Sequence, residues 1–521
     1  MSATLPNRPT PSTSSTPTKS NIGVIVAALL LSILMASMDN TIVATAMGTI
    51  VGDLGGLDKF VWVTSAYMVA EMAGMPIFGK LSDMYGRKRF FVYGLIIFMI
   101  GSALCGTAHS IIELSIYRAI QGIGGGALIP IAFTIMFDSV PLESRGKLGG
   151  LFGAVFGMSS IFGPLLGAYI TDYIHWNWIF YINLPLGLLA LVLIASFYKE
   201  SHEHSKQRID WGGAVTLVGA VICLMFALEL GGKEYAWDST FIIGLFAGFV
   251  VLVLAFIRIE RRVAEPIISF AMFTKQLFGS STLVAMFGGA AFITASVYIP
   301  IFIQGVLGGT ATNSGLVLLP MMVGSVVTAT LGGFLMNKIS FRSIMIPSTL
   351  LLVVGSILLS TLNAESTRFI VTFYMVIVGL GIGASFSVLS NAAIHLFAPR
   401  QRGSATSTLN FVRSLGMTLG ITIFGIIQSH SFANKMKEAL SGNTASQGLS
   451  DMDPRSLLSP ATRVQIPTDV LNKITSALSS SISYTFMWAI IPAVLALLFT
   501  FTMGGEKLDP HAEEGAPSGG H

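Results

Sequence analysis

The chain has 521 residues, 53% hydrophobic and 11% charged, with a net charge of +4, where an ordinary soluble protein is about 25% charged. Its 30 Lys and Arg and 26 Asp and Glu cannot cover the several soluble domains this length would otherwise imply, and the dispersed +4 leaves no nucleic-acid footprint. Abundant Leu, Ile, Val and Phe and 55 Gly without a fixed period exclude disorder, collagen and coiled coil, which leaves an all-α polytopic membrane protein.

Residues 1–20 are rich in Ser, Thr and Pro and lack the basic start and apolar core of a signal peptide, so a disordered tail is expected there. Apolar runs of about 20 residues, the length that spans the hydrocarbon as helix, then recur fourteen times. In the first half they are 22–50, 60–81, 90–108, 112–137, 148–173, 176–198 and 211–230. The second half continues with 240–259, 277–307, 314–337, 344–362, 369–396, 407–427 and 483–503. With the N-terminus inside, twenty of the 30 basic residues fall on the cytoplasmic side, as the positive-inside rule requires. Both termini are then cytoplasmic. Cys105 and Cys223 sit in apolar runs and read as small apolar fillers.

Charge near the bilayer centre costs at least about 2.5–3.5 kcal/mol, so ionisable residues inside spans are functional by default. In chain order, Met38-Asp39-Asn40-Thr41-Ile42-Val43 places a carboxylate deep in the first span. Tyr67, Glu71 and Met75 recur at i, i+4 and i+8 on the second. An acid between a ring and a thioether suits a lipophilic cation; a glutamate hydrogen-bonded within a packing stripe is an equal alternative. Gly79-Lys80-Leu81-Ser82-Asp83-Met84-Tyr85-Gly86-Arg87-Lys88-Arg89 follows that span, its Gly79 and Gly86 permitting close approach and a tight turn. Tyr117 to Gly124 (Tyr-Arg-Ala-Ile-Gln-Gly-Ile-Gly) places Arg118 in the fourth span, and Gly153, Gly157, Gly163-Pro164 and Gly167 mark the fifth. Trp176 to Gly187 opens the sixth. Further on, Ser387, Asn391 and His395 share a face of the twelfth span, and Arg413 begins the thirteenth, where snorkelling to the cytoplasmic interface is the favoured reading over substrate contact. The Gly-rich stretches at 122–126 and 379–383 lie inside spans and read as helix packing rather than dinucleotide loops. The chain carries no P-loop, no metal-binding Cys/His spacing and no nucleophile elbow.

These strings together resemble the motifs of the fourteen-helix drug:proton antiporters of the major facilitator superfamily. The 79–89 string is similar to that superfamily's signature loop, Arg118 to its fourth-helix arginine, and Gly163-Pro164 with Gly167 to its antiporter motif. The resemblance implies two six-helix bundles, 21–200 and 266–503, with helices 7 and 8 inserted at 201–265, a long extracellular loop at 430–482 and a disordered cytoplasmic tail at 504–521. It implies alternating access, with proton coupling through Asp39 and Arg118 and gating at Gly79, Asp83, Gly86, Arg87 and Lys88. No matched motif prescribes Glu71; its place inside a span adds it to the proton-coupling set, and the shared helix faces assign substrate binding to Tyr67, Glu71, Met75 and Asn391. Within 332–342 the second-half copy of the loop lacks its Asp, which puts a second gate in doubt.

The expected protein is a secondary active transporter rather than an enzyme, monomeric, in the bacterial plasma membrane. It needs no cofactor, metal, ATP or nucleic acid; its partners are lipophilic small molecules, protons and lipid. An exporter of a narrower substrate (tetracycline, siderophore, lipid or amino acid) is the nearest rival, and a non-transporting membrane sensor a more distant one.

Overall fold

The computed structural model describes residues 19–55, 61–140, 145–200, 209–232, 234–309, 311–440 and 468–507. Long apolar segments become helices because hydrocarbon offers backbone N–H and C=O groups no other partner. The first half comprises α1 (Lys19–Leu54), α2 (Val61–Tyr85), α3 (Arg87–Gly106), α4 (Ile111–Ser139), α5 (Arg145–Tyr173), the single turn α6 (Trp178–Tyr181) and α7 (Asn183–Phe197). Next come α8 (Trp211–Leu230), α9 (Thr240–Glu260) and the short α10 (Phe270–Phe273). The second half holds α11 (Gln276–Ile301), α12 (Ala311–Leu335), α13 (Phe341–Ser360), α14 (Arg368–His395), α15 (Arg402–Leu440) and α16 (Thr468–Phe501).

Among the described residues, 12 helices are long and apolar enough to cross a membrane. Two others, α2 with 25 residues and α5 with 29, match them in length. In α2 the polar load is Glu71, Lys80 and Asp83.

The expected loop at 430–482 is corrected by the structure. Helix α15 runs on to Leu440 and α16 begins at Thr468, so both ends of that segment are continuous with long helices. Phe432 and Met436 on α15 join Ile474 and Leu478 on α16 in one buried cluster. That narrow apolar stripe on otherwise polar helices carries an amphipathic pattern, not a membrane-span pattern. Residues 441–467 of the loop and the tails 1–18 and 508–521 lie outside the described residues. The start of the expected C-terminal tail is held, since Phe341 N donates to Glu506 O at 3.0 Å.

Helices α1 to α5 and α7 pack on one another, as do α11 to α16, while α8 pairs with α9 and lies on α2. The two groups meet where α2 packs on α15 and α5 on α12. The glycine-rich part of α4 works as packing: a Cβ on Gly122 would sit 2.4 Å from the Tyr67 carbonyl oxygen, and one on Gly124 2.4 Å from Phe98 N. Between the groups lies a cavity of about 630 Å³.

Candidate functional site

Asp39 and Arg118 are both fully buried and form an ion pair between α1 and α4. The second carboxylate oxygen accepts from Gln121 Nε2 at 2.8 Å and Asn183 Nδ2 at 2.9 Å. Both amides also donate to Ser102 Oγ, at 3.2 and 3.0 Å, and that hydroxyl donates to the Phe180 carbonyl at 2.8 Å. Arg118 donates further to Gln121 Oε1 at 2.7 Å and the Val63 carbonyl at 3.3 Å. Such saturation offsets the desolvation of two charges, which attraction between them alone need not repay. Gln121 and Asn183 stand in the fourth- and sixth-span strings with no role assigned to them, and Ser102 was not singled out. Their signal was present: each is an isolated polar residue in an apolar span.

This closed network reaches the cavity at one point. Arg118 Nη2 donates to Asn40 Oδ1 at 3.3 Å, and Asn40 is a cavity wall. Glu71 is another wall residue of the same cavity. Asn40, Arg118 and Asp39 therefore form a polar path from the cavity wall to the buried pair, and Glu71 shares that cavity.

Of the four expected substrate contacts, Glu71 and Met75 line the cavity, while Tyr67 and Asn391 do not. Tyr67 is fully buried with its ring 4.1 Å from the Arg118 guanidinium carbon. Four residues advance an α-helix by about 400°, so an i, i+4, i+8 row drifts by about 40° a step; the drift turns Tyr67 toward α4. Asn391 is also fully buried, and its Nδ2 donates to the Ser387 carbonyl of its own helix at 2.8 Å. Ser387 Oγ donates to the Ala329 carbonyl at 2.8 Å, and His395 stands edge-on to Phe341. That face packs. Arg413 departs from expectation in the opposite sense: it does not snorkel outward but lines the cavity, 8% exposed.

The fifth-helix motif sets the position of α1. A Cβ on Gly163 would fall 2.0 Å from Thr41 Oγ1, and one on Gly167 2.3 Å from Thr45 Oγ1. Pro164 between them lines the cavity.

The basic string also takes a clear form. Gly79 to Tyr85 is the last part of α2 rather than a loop, and Gly86 alone makes the turn into α3, with φ 111°, a region glycine enters without a Cβ penalty. Asp83 accepts the backbone N–H groups of Gly403 at 2.9 Å and Ser404 at 2.7 Å. These lie in the first turn of α15, where N–H groups have no intrahelical partner and the helix dipole is positive. Arg87 donates to Asp83 at 3.3 Å and pairs with Asp138, which also accepts from Arg402 at 3.0 Å. Lys88 Nζ reaches the Ala195 carbonyl at 2.7 Å, and Lys80 pairs with Glu265 at 2.6 Å. A Cβ on Gly79 would meet Ser407 Oγ at 2.0 Å. Of the five residues expected at the gate, Gly79, Asp83 and Arg87 stand at a fastening between the two helix groups, while Gly86 forms the α2–α3 turn and Lys88 reaches α7 of its own group. The second-half side of the fastening is the start of α15, and Asp138, Arg402, Gly403 and Ser404 were not foreseen. Among the described residues no three His, Cys, Asp or Glu are grouped to hold a metal ion.

The model of the Major Facilitator Superfamily matches residues 29–214 and 207–421. Multidrug resistance protein 3 of Bacillus subtilis (strain 168) is 55% identical over 493 residues, 94% of this chain and 96% of that protein. Multidrug transporter protein MdtP of the same organism is 35% identical, covering 93% of both chains. Among solved structures, the proton:xylose symporter XylE bound to 6-bromo-6-deoxy-D-glucose superposes with a TM-score of 0.61 at 15% identity, over 94% of this chain and 98% of that one. The human organic anion transporter MFSD10 (TETRAN) gives 0.57 at 13% identity, over 91% and 99%. At those identities the structures speak for the fold, while the sequence match extends from the first helix into α15. The chain belongs to the major facilitator superfamily.

Proposed function

We propose that the chain is a multidrug exporter of the bacterial plasma membrane that exchanges hydrophobic, cationic molecules for protons. The observation that carries the proton half is the polar path from the cavity residue Asn40 to the Asp39–Arg118 pair, with Glu71 on the wall of the same cavity. The drug half is supported by the cavity wall, which Met68, Met72, Met75, Met322 and Phe386 share with Glu71, and by the names of the two Bacillus relatives. Methionine side chains re-pack around differently shaped ligands, which suits breadth.

In this reading α2 and α5 join the twelve apolar helices to give fourteen spans, with both termini cytoplasmic. Helices α1 to α7 and α11 to α16 act as two six-helix bundles, and α8 and α9 are the inserted pair. The gate and the cavity are built within one chain, in keeping with a monomer. The basic end is cytoplasmic by the positive-inside rule, so the Asp83–α15 fastening closes the cell side and the cavity serves the outside.

The cycle then follows from charge. A proton entering from outside neutralises a carboxylate on the path, Glu71 loses its hold on the cation, and Arg118 is freed to re-pair. The unloaded bundles rock, the fastening opens, and proton loss to the cytoplasm restores the drug site. Moving one charge through the membrane contributes about 2.3 kcal/mol per 100 mV.

The test is transport in inverted vesicles with an imposed pH gradient. Added lipophilic cations should dissipate the gradient as they are taken up. Accumulation without proton movement, or no response to any cation, rejects the reading.

A further inference from the structure

Arg413 is a buried cavity residue outside the coupling path. Its two hydrogen bonds go to neutral oxygens, Asn410 Oδ1 and the Ser385 carbonyl, each at 3.2 Å. The guanidinium carbon lies 5.3 Å from the centre of the Phe386 ring. No carboxylate pairs with it among the described residues. An arginine inside a span is costly to keep, and its planar fork of five donors matches a carboxylate in geometry as well as charge. Two neutral acceptors leave both fork and charge incomplete.

Glu71 presents the opposite charge to the same cavity from α2. No ion pair joins the two among the described residues, so each wall keeps its own sign. The surface they share with Met72, Met322, Phe292 and Phe386 is apolar and aromatic. A simple cation satisfies Glu71 alone and leaves Arg413 repelling it. A molecule that carries a carboxylate as well completes both walls.

We propose that the cavity selects amphoteric aromatic molecules, the amine or iminium end against Glu71 and a carboxylate against Arg413, with Arg413 as the residue that sets this preference. The proposal rests on the export reading above and names its substrate class. It makes a plain cation a tolerated substrate and the zwitterion of the same skeleton the better one.

Rhodamine 110 and its methyl ester rhodamine 123 provide the matched pair, since they share one cationic xanthylium body and differ in whether the benzoate is free. Export of both is measured in energised vesicles carrying the full-length protein. The wild type is expected to show the lower apparent KM for rhodamine 110. Arg413→Gln should raise that KM about ten- to a hundred-fold, the range for a lost hydrogen bond between charged partners, and leave rhodamine 123 within about twofold. Arg413→Lys, which keeps the charge and loses the fork, should fall between. Should Arg413→Gln not fold, the wild-type preference and the Arg413→Lys shift decide the matter.

Equal effects on both dyes, or none on either, overturn the role of Arg413. A wild type that exports rhodamine 123 but not rhodamine 110 overturns the substrate class and leaves the export reading standing. Export of neither dye overturns both.

Discussion

Arg118 Nη2 donates to Asn40 Oδ1 at 3.3 Å, so the residue after Asp39 in sequence joins the buried ion pair to the cavity wall. If this is the route by which substrate and proton sense each other, Asn40→Ala should spare the pair and cut the link. A single hydrogen bond to a charged group is worth about 1.5–3 kcal/mol, a fraction of the stability of a folded protein, so the variant is expected to fold and to bind drug. Its proton flux per exported drug should fall well below that of the wild type. Simultaneous recording of dye uptake and of vesicle pH measures the ratio, and an unaltered ratio would remove Asn40 from the path.

Removing one charge from a buried pair is worse than removing both. In Asp39→Asn the Arg118 guanidinium loses its only anionic partner among the described residues, a change that costs about 3–5 kcal/mol. Asp39→Asn with Arg118→Gln should recover most of the lost stability, since neither charge then remains. Coupled transport should be abolished in both variants. Thermal unfolding in detergent separates the two effects, and a single variant as stable as the wild type would contradict the pairing.

How much of this was legible in the sequence depended on the distance over which each signal acts. Asp39, Glu71 and Arg118 stood out because a charge in an apolar span is conspicuous by itself. Gln121 and Asn183 were visible as polar residues, but nothing local showed that both would turn toward Asp39. Tyr67 and Asn391 were assigned to the cavity from a row of residues that drifts around its helix. Asp138 and Arg402 meet across 264 positions, and neither segment alone advertises the other. Arg413 looked interfacial because the predicted span began at 407, whereas α15 begins at Arg402 and carries the arginine deeper.

The fifth-helix glycines are expected to act through α1 rather than through α5 itself. Gly163→Ala puts a methyl group 2.0 Å from Thr41 Oγ1 and 2.9 Å from Thr41 Cβ, which pushes away the segment that carries Asn40 and Asp39. Transport should drop at least about tenfold, a disruption in line with overpacking costs of about 1–3 kcal/mol. Thr41→Ala removes the nearer atom and should restore part of the loss when combined with Gly163→Ala. Vesicle uptake by the two singles and the double measures this. Lack of any rescue would place the effect of Gly163 elsewhere than in its contact with α1.

Asp138 is held between two arginines, Arg87 from the first helix group and Arg402 from the second. Its removal is therefore expected to do more than the removal of either partner. Asp138→Asn leaves Arg87 and Arg402 facing each other without the shared anion, so an attraction across the gate becomes a repulsion. Arg402→Gln keeps the Arg87–Asp138 pair and both backbone bonds to Asp83, and should loosen the gate only slightly. Nitroxide labels at the exposed positions Arg89 and Gln401 report the separation of α3 from the α15 start. Asp138→Asn should shift the distance distribution to a longer, open population, more at low salt than at high salt because the repulsion is screened. Arg402→Gln should stay close to the wild-type distribution at either salt. Equal opening in both variants would mean that the fastening depends on Arg402 itself, with Asp83 and the α15 N-terminus too weak to hold it alone.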